Sequence, residues 1–541
     1  MTQNNRNDQV LKAERALHDQ YNLLPRSQLV PYLGILSFCM LISFIDQNGI
    51  SITQPTIAKD LDASATISWA GTSSLIANTT FQMLYGRLSD IFGRKAVFLG
   101  AVALLAIADL LCGLSQNPAM FYVFRGVSGI GSGGIANIAM IIVSDVVTLE
   151  ERGKYQGIFG TMVGLGNLIG PFLAAAFIKR STWRAFFYML APLGAIAGVV
   201  SYLFLPNKPP TATFKESAAR IDYGATNPFM PLCSAAIIDR MFVTGGAYFD
   251  WNSPMVISML TIGCLSCLLF LLIEWKIAKL PMMPVTIFAN KEVVILLIHS
   301  FLFGAVYQSY IYYLPLYLLN ARQFEVLEAA AISTALFTFQ AVFSTLSGLY
   351  ISHFNRYGEV IWFGFATWTL GAGLCLTFDR NTSPGAIIGP LMVIGVGVGC
   401  IFQPTLVALQ AHSPKSRRAV IISNRNFFRC CGGAVGLAIS AAILQAALRS
   451  KLPAEYAYLA DSTYALPTDL EPGPSAERVY DAYMHASHSV FLMQVPMIGV
   501  SLIGCLFIKD QGLEGREETS RSEEEPQRTM VGPQDNTPKV S

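Results

Sequence analysis

Charged residues are scarce in this chain of 541 residues, where Asp, Glu, Lys and Arg together make up only 13%. Soluble domains carry roughly 25% charged residues, so about half of the expected charge is missing. Hydrophobic residues make up 53% of the chain, and many of the remaining charges fall near the two ends or between residues 449 and 489. This composition excludes a water-soluble enzyme, a disordered chain and a nucleic-acid-binding protein. It predicts a polytopic membrane protein.

Cysteine clusters with metal-ligand spacing are also absent from the sequence. The ten cysteines are scattered or adjacent, as Cys430 and Cys431 are, and nearly all lie in apolar stretches, so we expect no metal site. The glycine run from Gly129 to Gly134 formally matches a dinucleotide-binding fingerprint, but that pattern needs a strand before it and a helix after it. This run lies inside an apolar stretch of membrane-spanning length, so we expect no cofactor.

Apolar stretches of about 20 residues, the length that crosses the hydrocarbon core of a bilayer, recur fourteen times. They lie near residues 31–57, 67–86, 96–115, 118–144, 155–178, 184–205, 225–247, 254–273, 293–319, 328–350, 360–378, 385–409, 419–447 and 489–508. Their order predicts an all-α protein with two six-helix bundles and two inserted helices. The predicted parts are a cytoplasmic N-tail (1–30), an N-terminal bundle (31–205), a linker with the inserted spans (206–292), a C-terminal bundle (293–508) and a disordered cytoplasmic C-tail (509–541). The even number places both termini on one side, and the distribution of Lys and Arg assigns that side to the cytoplasm.

The seventh span is the least regular of the fourteen. Residues 224–243 contain Pro228, Pro231 and the adjacent pair Asp239 and Arg240. Ionisable residues at the centre of a span cost several kcal/mol each. Three explanations stay open: the two charges pair inside the bundle, the segment inserts poorly, or the gene model contains a local error.

Several motifs carry a family resemblance. The loop between spans two and three reads G-R-L-S-D-I-F-G-R-K from Gly86 to Lys95, and a degenerate counterpart lies between spans ten and eleven. The others are Arg125-Gly126 in span four, Gly160-x-x-x-Gly164 and Gly166-x-x-x-Gly170-Pro171 in span five, Phe402-Gln403-Pro404 in span twelve, and Arg425-Asn-Phe-Phe-Arg429 in span thirteen. Over residues 31–508 the chain resembles the major facilitator superfamily, in its fungal drug:proton antiporter branch with fourteen spans. The resemblance implies the major facilitator fold, in which two bundles rock about a central site.

Three of the ionisable residues inside predicted spans are candidates for proton coupling. Asp46 lies about fifteen residues into span one, near the membrane centre, so its carboxyl group should face the bundle interior and is a candidate proton-binding group. A helix-packing hydrogen bond is the alternative. For Asp109 in span three we favour a structural hydrogen bond, with a proton role as the alternative. Arg125 cannot readily deprotonate and must pair with a carboxylate or with backbone carbonyls; the resemblance implies that it supports proton transfer, and a purely structural pair is the alternative.

The loop and the span-five motif predict conformational change. The resemblance implies that the loop gates the cycle by latching the outward-facing state, whereas a solvated run of charges is the alternative. In span five, glycines permit close helix packing and proline permits a kink, and the resemblance implies exchange rather than symport. The gating-loop residues are Gly86, Asp90, Gly93, Arg94 and Lys95, and the antiporter-motif residues are Gly164, Gly170 and Pro171.

Span nine is dense in tyrosine between Tyr307 and Tyr317. Such residues either form an interfacial belt or line a pocket. The predicted substrate cavity consists of Tyr307, Gln308, Phe402 and Gln403, which would suit bulky, partly aromatic solutes. Arg425 and Arg429 share one helical face near the cytoplasmic end of span thirteen. There we expect snorkelling or latch contacts rather than contact with a solute.

These observations predict a secondary active transporter and no enzyme. The leading hypothesis is proton-coupled efflux of small organic compounds, such as drugs, toxins or secondary metabolites, by alternating access. The expected partners are a small organic solute, protons and the lipid bilayer, with no nucleic acid, and the expected state is a monomer in the cell membrane rather than the vacuolar membrane. One alternative is a vacuolar or plasma-membrane transporter of basic amino acids or another nutrient. An alternative of another class is a non-transporting receptor or scaffold.

Overall fold

A computed structural model describes residues 26–63, 66–67, 69–205, 282–414, 417–460 and 473–513, with isolated positions between 254 and 272. Within these ranges the regular structure is helical and contains no strand, which confirms the predicted all-α class. Isolated positions in the second inserted span are helical. The first inserted span, with Asp239 and Arg240, lies outside the described residues, as do residues 1–25 and 514–541.

Each half of the described chain supplies six passes of membrane length. The first half consists of α1 (Arg26–Asp60), α2 (Trp69–Phe92), α3 (Arg94–Gly113), α4 (Pro118–Val146), α5 (Leu149–Arg180) and α6 (Trp183–Phe204). The second half consists of α7 (Lys291–Leu316), α8 (Val326–Phe354), α9 (Gly358–Cys375), α10 (Pro384–Phe402) with α11 (Pro404–Ala411), α12 (Arg418–Lys451) and α13 (Pro474–Gly504). In the described ranges ten passes are apolar enough to cross a membrane, while α2 and α9 have the length alone.

Short polar turns separate these helices. Asn117 caps α4 by accepting a 2.8 Å hydrogen bond from the backbone N–H of Met120, and proline follows at the first helical position. Between α2 and α3 the chain turns at Gly93, whose φ of 90° lies in a region that favours glycine. α8 ends at Asn355 in the left-handed conformation. At these residues one helix ends or the next begins, so that consecutive passes run antiparallel.

The two halves meet most closely near the Gly86–Lys95 loop, at an end of the bundle that we call the motif end. There α5 packs along α8 and α2 packs along α12. A Cβ atom on Gly157 of α5 would lie 2.7 Å from the carbonyl oxygen of Ser344. One on Gly86 would lie 2.5 Å from the hydroxyl oxygen of Ser423. Glycine is required at both positions because the facing helix leaves no room for a side chain.

The C-terminal region differs from the sequence prediction. The last helix begins at Pro474, well before the predicted start near residue 489, because an apolar window excludes its polar first segment, in which Glu477 and Asp481 pair with Arg380. The chain also stays packed beyond residue 509. The carboxylate of Asp510 accepts hydrogen bonds from the backbone N–H groups at the start of α9, and Leu513 is buried.

Candidate functional site

A cavity of about 520 Å³ lies between the two halves. Its floor includes Asn78 and Phe402, and its walls run towards Ala58 and Leu319, at the end of the bundle opposite the motif end. Most of the lining is apolar or aromatic. The lining side chains with amide groups are Gln47, Asn48, Gln54, Asn78, Asn167 and Gln308. Among the described residues that line it, arginines are the only charged side chains.

Three of the four predicted cavity residues line this space. Tyr307, Gln308 and Phe402 do so, together with the neighbouring Tyr310. Gln403 is not among the residues that line it. The helix is interrupted at Gln403, which turns its side chain into the protein, where it is 1% exposed.

The predicted coupling residues come together beside the cavity. Arg125 of α4 donates a 2.6 Å hydrogen bond to Asp46 of α1, and both side chains are fully buried. The hydroxyl of Ser128 also donates to Asp46, at 3.4 Å. Arg125 additionally lines the cavity, so the ion pair lies directly against the space that a solute would enter.

Asp109 of α3 completes this cluster. It is fully buried, and it interacts electrostatically with both Asp46 and Arg125. Neither of its oxygen atoms receives a hydrogen bond from a donor among the described residues, which does not support the structural hydrogen bond that we favoured. Two ionised carboxylates beside one guanidinium would leave a buried negative charge without compensation, and a proton on either acid removes it. The cluster therefore has two acids, one permanent cation and a place for one proton.

The gating-loop charges form a network within the first half. Arg94 pairs with Asp90 at 2.6 Å and with Asp145 of α4 at 2.9 Å, and its side chain is only 16% exposed. Lys95 donates a 2.7 Å hydrogen bond to the carbonyl oxygen of Leu205. These contacts do not fit a solvated run of charges.

Contacts across the two halves at the motif end include hydrogen bonds between uncharged groups, beside one from Arg152 of α5 to the amide oxygen of Gln410 on α11 at 3.2 Å. Asn137 of α4 donates a 2.9 Å hydrogen bond to the hydroxyl of Ser423 on α12, and Asn426 donates to Asn137 at 3.3 Å. All three side chains are buried. The charged loop therefore orders one half, while close packing and hydrogen bonds that do not involve the loop charges join this half to the other.

A second chain of hydrogen bonds joins the halves beside the cavity. Asn48 of α1 donates to Asn167 of α5 at 2.6 Å, and Asn167 donates to the hydroxyl of Tyr307 on α7 at 2.5 Å. Tyr307 donates in turn to Gln340 of α8 at 2.8 Å. Because three of these residues line the cavity, a solute would lie against a polar link between the bundles.

The antiporter-motif residues contact both halves and the cavity. A Cβ atom on Gly164 would lie 2.9 Å from the Cβ atom of Ala341 on α8. One on Gly170 would lie 2.9 Å from the carbonyl oxygen of Ile45 on α1. Pro171 lines the cavity. This segment of α5 is therefore the place where close packing reaches the cavity wall.

Arg429 of α12 is a cavity residue that the sequence interpretation missed. We expected snorkelling or latch contacts for it, but its side chain lines the cavity floor beside Phe402. One sequence signal was available: α12 carries Arg425 and Arg429 in its first half and contains no acidic residue that could pair with them.

The chain resembles known membrane proteins over most of its length. The family model of the Major Facilitator Superfamily matches residues 36–437. Citrate exporter 1 of Yarrowia lipolytica (strain CLIB 122 / E 150) is 50% identical over 516 residues, which are 94% of this chain and 76% of that protein. Efflux pump dotC of Dothistroma septosporum (strain NZE10 / CBS 128990) is 30% identical over 431 residues, 79% of this chain and 73% of that protein. A crystal structure of the human organic anion transporter MFSD10 (TETRAN) matches with a TM-score of 0.53 and 14% identity, covering 88% of this chain and 100% of that one.

Proposed function

Because this chain belongs to the Major Facilitator Superfamily and is a membrane transporter of that type, we propose that it exports a small organic anion, citrate or a related carboxylate, by alternating access. The observation that carries this proposal is the charge of the cavity. Its charged lining side chains among the described residues are Arg125, which Asp46 neutralises, and Arg429, which has no anionic partner there; no acidic side chain lines it in that part of the chain. Such a cavity attracts anions and repels cations.

The names of the relatives support export as the direction of transport and an organic anion as the solute. One relative at 50% identity is named a citrate exporter, and another at 30% is named an efflux pump. The cavity volume of about 520 Å³ lies within the usual range of small-molecule sites, roughly 300–1,000 Å³. A positive cavity opposes the basic amino acids that we considered as alternative solutes, because a cationic substrate would need an acidic partner there.

Proton coupling is the second part of the proposal. Asp46, Arg125 and Asp109 form one buried cluster, and Arg125 also lines the cavity. Protonation of either acid leaves less negative charge beside Arg125, which favours an anion in the cavity. Occupancy by a proton and occupancy by a solute are then thermodynamically linked.

The gate is the third part. We take the motif end as cytoplasmic, with both termini on that side and the protein in the cell membrane. The close packing and neutral hydrogen bonds at the motif end then correspond to an outward-facing state. Opening that end requires Asn137 to leave Ser423 and α5 to separate from α8, while the network of Arg94 moves with the first half as a unit.

Efflux of bulky aromatic compounds is a second candidate function. Tyr307, Tyr310, Tyr312 and Phe402 line the cavity, and aromatic rings of this kind bind flat apolar solutes. Proton-coupled drug efflux would use the same fold and the same coupling cluster. The two candidate functions differ in whether the cavity arginines are needed to bind the solute.

Transport by the purified full-length protein in liposomes tests this proposal. Radiolabelled citrate, rhodamine 6G and lysine serve as anionic, aromatic cationic and basic probes, with and without a pH gradient. We expect citrate flux that responds to the gradient, and loss of that response in Asp46→Asn and Arg125→Ala at equal protein content. Flux of rhodamine without citrate would establish the second candidate, and flux of lysine a nutrient transporter. Absence of all three fluxes would favour a receptor or scaffold.

A further inference from the structure

Arg429 has no anionic partner in the part of the chain that the structure describes. Its side chain is partly exposed to the cavity, and its guanidinium carbon lies 5.6 Å from the centre of the Phe402 ring. Its Nε atom is buried and has no hydrogen-bond acceptor within those residues. The remaining N–H groups are therefore available to a molecule in the cavity.

Arg425 lies one helical turn away on the same face of α12 and is 1% exposed. Its guanidinium donates to the carbonyl oxygen of Phe402, to the amide oxygen of Asn426 at 3.0 Å and to the hydroxyl of Thr405 at 3.5 Å. All of these acceptors are neutral. Its Nε atom has no acceptor among the described residues.

The helix interruption after α10 makes one of these contacts possible. The backbone N–H of Leu406 bonds to the carbonyl oxygen of Gln403 at 2.9 Å. It therefore does not occupy the carbonyl oxygen of Phe402, which accepts from Arg425 instead. The break between α10 and α11 thus holds the Arg425 guanidinium beneath the cavity floor, 4.9 Å from the centre of the Phe402 ring.

Arg425 and Arg429 differ from Arg125, the other arginine at the cavity, in whether an acid compensates their charge. Arg125 is neutralised by Asp46 at 2.6 Å. Arg425 and Arg429 instead repel each other, and no carboxylate among the described residues forms an ion pair with either of them. Buried cations without a counter-charge are strongly unfavourable. An anion bound at the floor would remove that cost, whereas a neutral or cationic solute would not.

We propose that Arg425 and Arg429 form a two-guanidinium site for a carboxylate group, and that this site sets the preference of the cavity for polycarboxylates. Arg429 contacts the carboxylate through its planar fork of donors. Arg425 is a positioning residue whose buried charge strengthens the field at the floor. The proposal rests on the proposed export of organic anions and assigns its recognition to one place, so the preference should rise with the number of carboxylates on the solute.

The test uses the full-length protein in liposomes with citrate, succinate and acetate as probes. The variants are Arg429→Gln, Arg429→Lys and Arg425→Gln, and the matched control is Arg449→Gln, an exposed arginine near the end of α12. We expect Arg429→Gln to raise the KM for citrate about tenfold or more, the size expected for loss of a charge-assisted hydrogen bond. Arg429→Lys should restore part of the affinity. Arg425→Gln should reduce the advantage of citrate over acetate, and the control should match the wild type.

Binding and transport together separate the possible failures. An unchanged KM for citrate in Arg429→Gln, in a protein whose wild type exports citrate, overturns the two-arginine site and leaves the proposed function standing. If the wild type exports none of the three anions, the proposed function fails. The site is then judged by thermal protection with citrate: protection that is lost in Arg429→Gln supports it, and no protection of the wild type overturns it. If Arg429→Gln does not fold, Arg429→Lys, which keeps the charge, is judged by the same KM and thermal-protection measurements.

Discussion

Arg125 donates a 2.6 Å hydrogen bond to Asp46, with both side chains fully buried and Asp109 beside them. The pair alone is electrically neutral. The second acid breaks that balance, because the cluster carries a net negative charge unless one proton is bound. A buried net charge is costly, so the protonation state of this cluster and the charge in the adjacent cavity must influence each other. Four predictions follow from this cluster and from the packing around it.

The two acids should differ in their effect on stability. Asp46→Asn removes the direct partner of a buried guanidinium, and we expect a loss of about 3 kcal/mol, the lower end of the range for such pairs, because Asp109 can ionise beside Arg125. Asp109→Asn removes an acid that has no donor among the described residues, and it should change stability by less than about 1 kcal/mol. Thermal unfolding in detergent measures the difference. Equal losses in the two variants would contradict the assigned charge balance.

Asp109→Asn should remove the pH response of transport. Asparagine mimics the protonated acid, so citrate affinity should stay at or above the wild-type value while its dependence on pH flattens to that of citrate itself. The KM of both proteins for citrate between pH 5 and pH 8 provides the comparison. Glu359→Gln is the control, since Glu359 pairs with Arg356 at the surface. A pH profile in Asp109→Asn that matches the wild type would exclude Asp109 from the coupling.

Tyr307→Phe should weaken the link between the halves. The tyrosine hydroxyl accepts from Asn167 and donates to Gln340, so its removal leaves two buried amides with unfilled groups, at a cost of about 1–3 kcal/mol. Thermal unfolding measures this loss. Tyr350→Phe, which removes a hydroxyl bonded to Glu359 at the surface, is the matched control and should have little effect. If the two variants behave alike, the chain of hydrogen bonds contributes nothing to the native state.

Gly157→Ala should disturb closure at the motif end. The new Cβ atom would lie 2.7 Å from the carbonyl oxygen of Ser344, so α5 and α8 must move apart. Overpacking of this kind costs about 1–3 kcal/mol, which lowers the population of the closed state roughly tenfold. The transport rate should fall accordingly at equal expression. Gly373→Ala in α9 meets nothing within 4 Å and should transport normally, and a normal rate in Gly157→Ala would show that closure does not need this contact.

Much of the fold could be predicted without coordinates. Ten of the predicted passes, the all-α class and membership of the Major Facilitator Superfamily are confirmed, because apolar runs of membrane length and a loop motif are local properties of the chain. The fungal drug:proton antiporter branch and the inserted spans stay predictions. The polar start of α13 was missed, because an apolar window excludes this segment, whose Val479 and Tyr483 become buried only after folding.

The site was predicted in part. Asp46, Asp109 and Arg125 were selected because charge is costly inside a membrane, and that cost is visible in the sequence. Their meeting in one cluster was not visible, nor was the absence of a donor for Asp109 among the described residues. We predicted that Gln403 lines the cavity because it follows Phe402 in the sequence, yet the helix interruption turns its side chain away from the cavity.

The sequence by itself determined that this chain crosses a membrane repeatedly and which few charges must be buried, because hydropathy and the cost of charge depend on residue type and spacing. Only the tertiary structure decided which charges are compensated. Asp46 and Arg125 are 79 residues apart and become partners, whereas Arg425 and Arg429 are neighbours on one helix and share no acid in the described chain. Pairing depends on distances between helices, and those distances exist only after the bundles have packed.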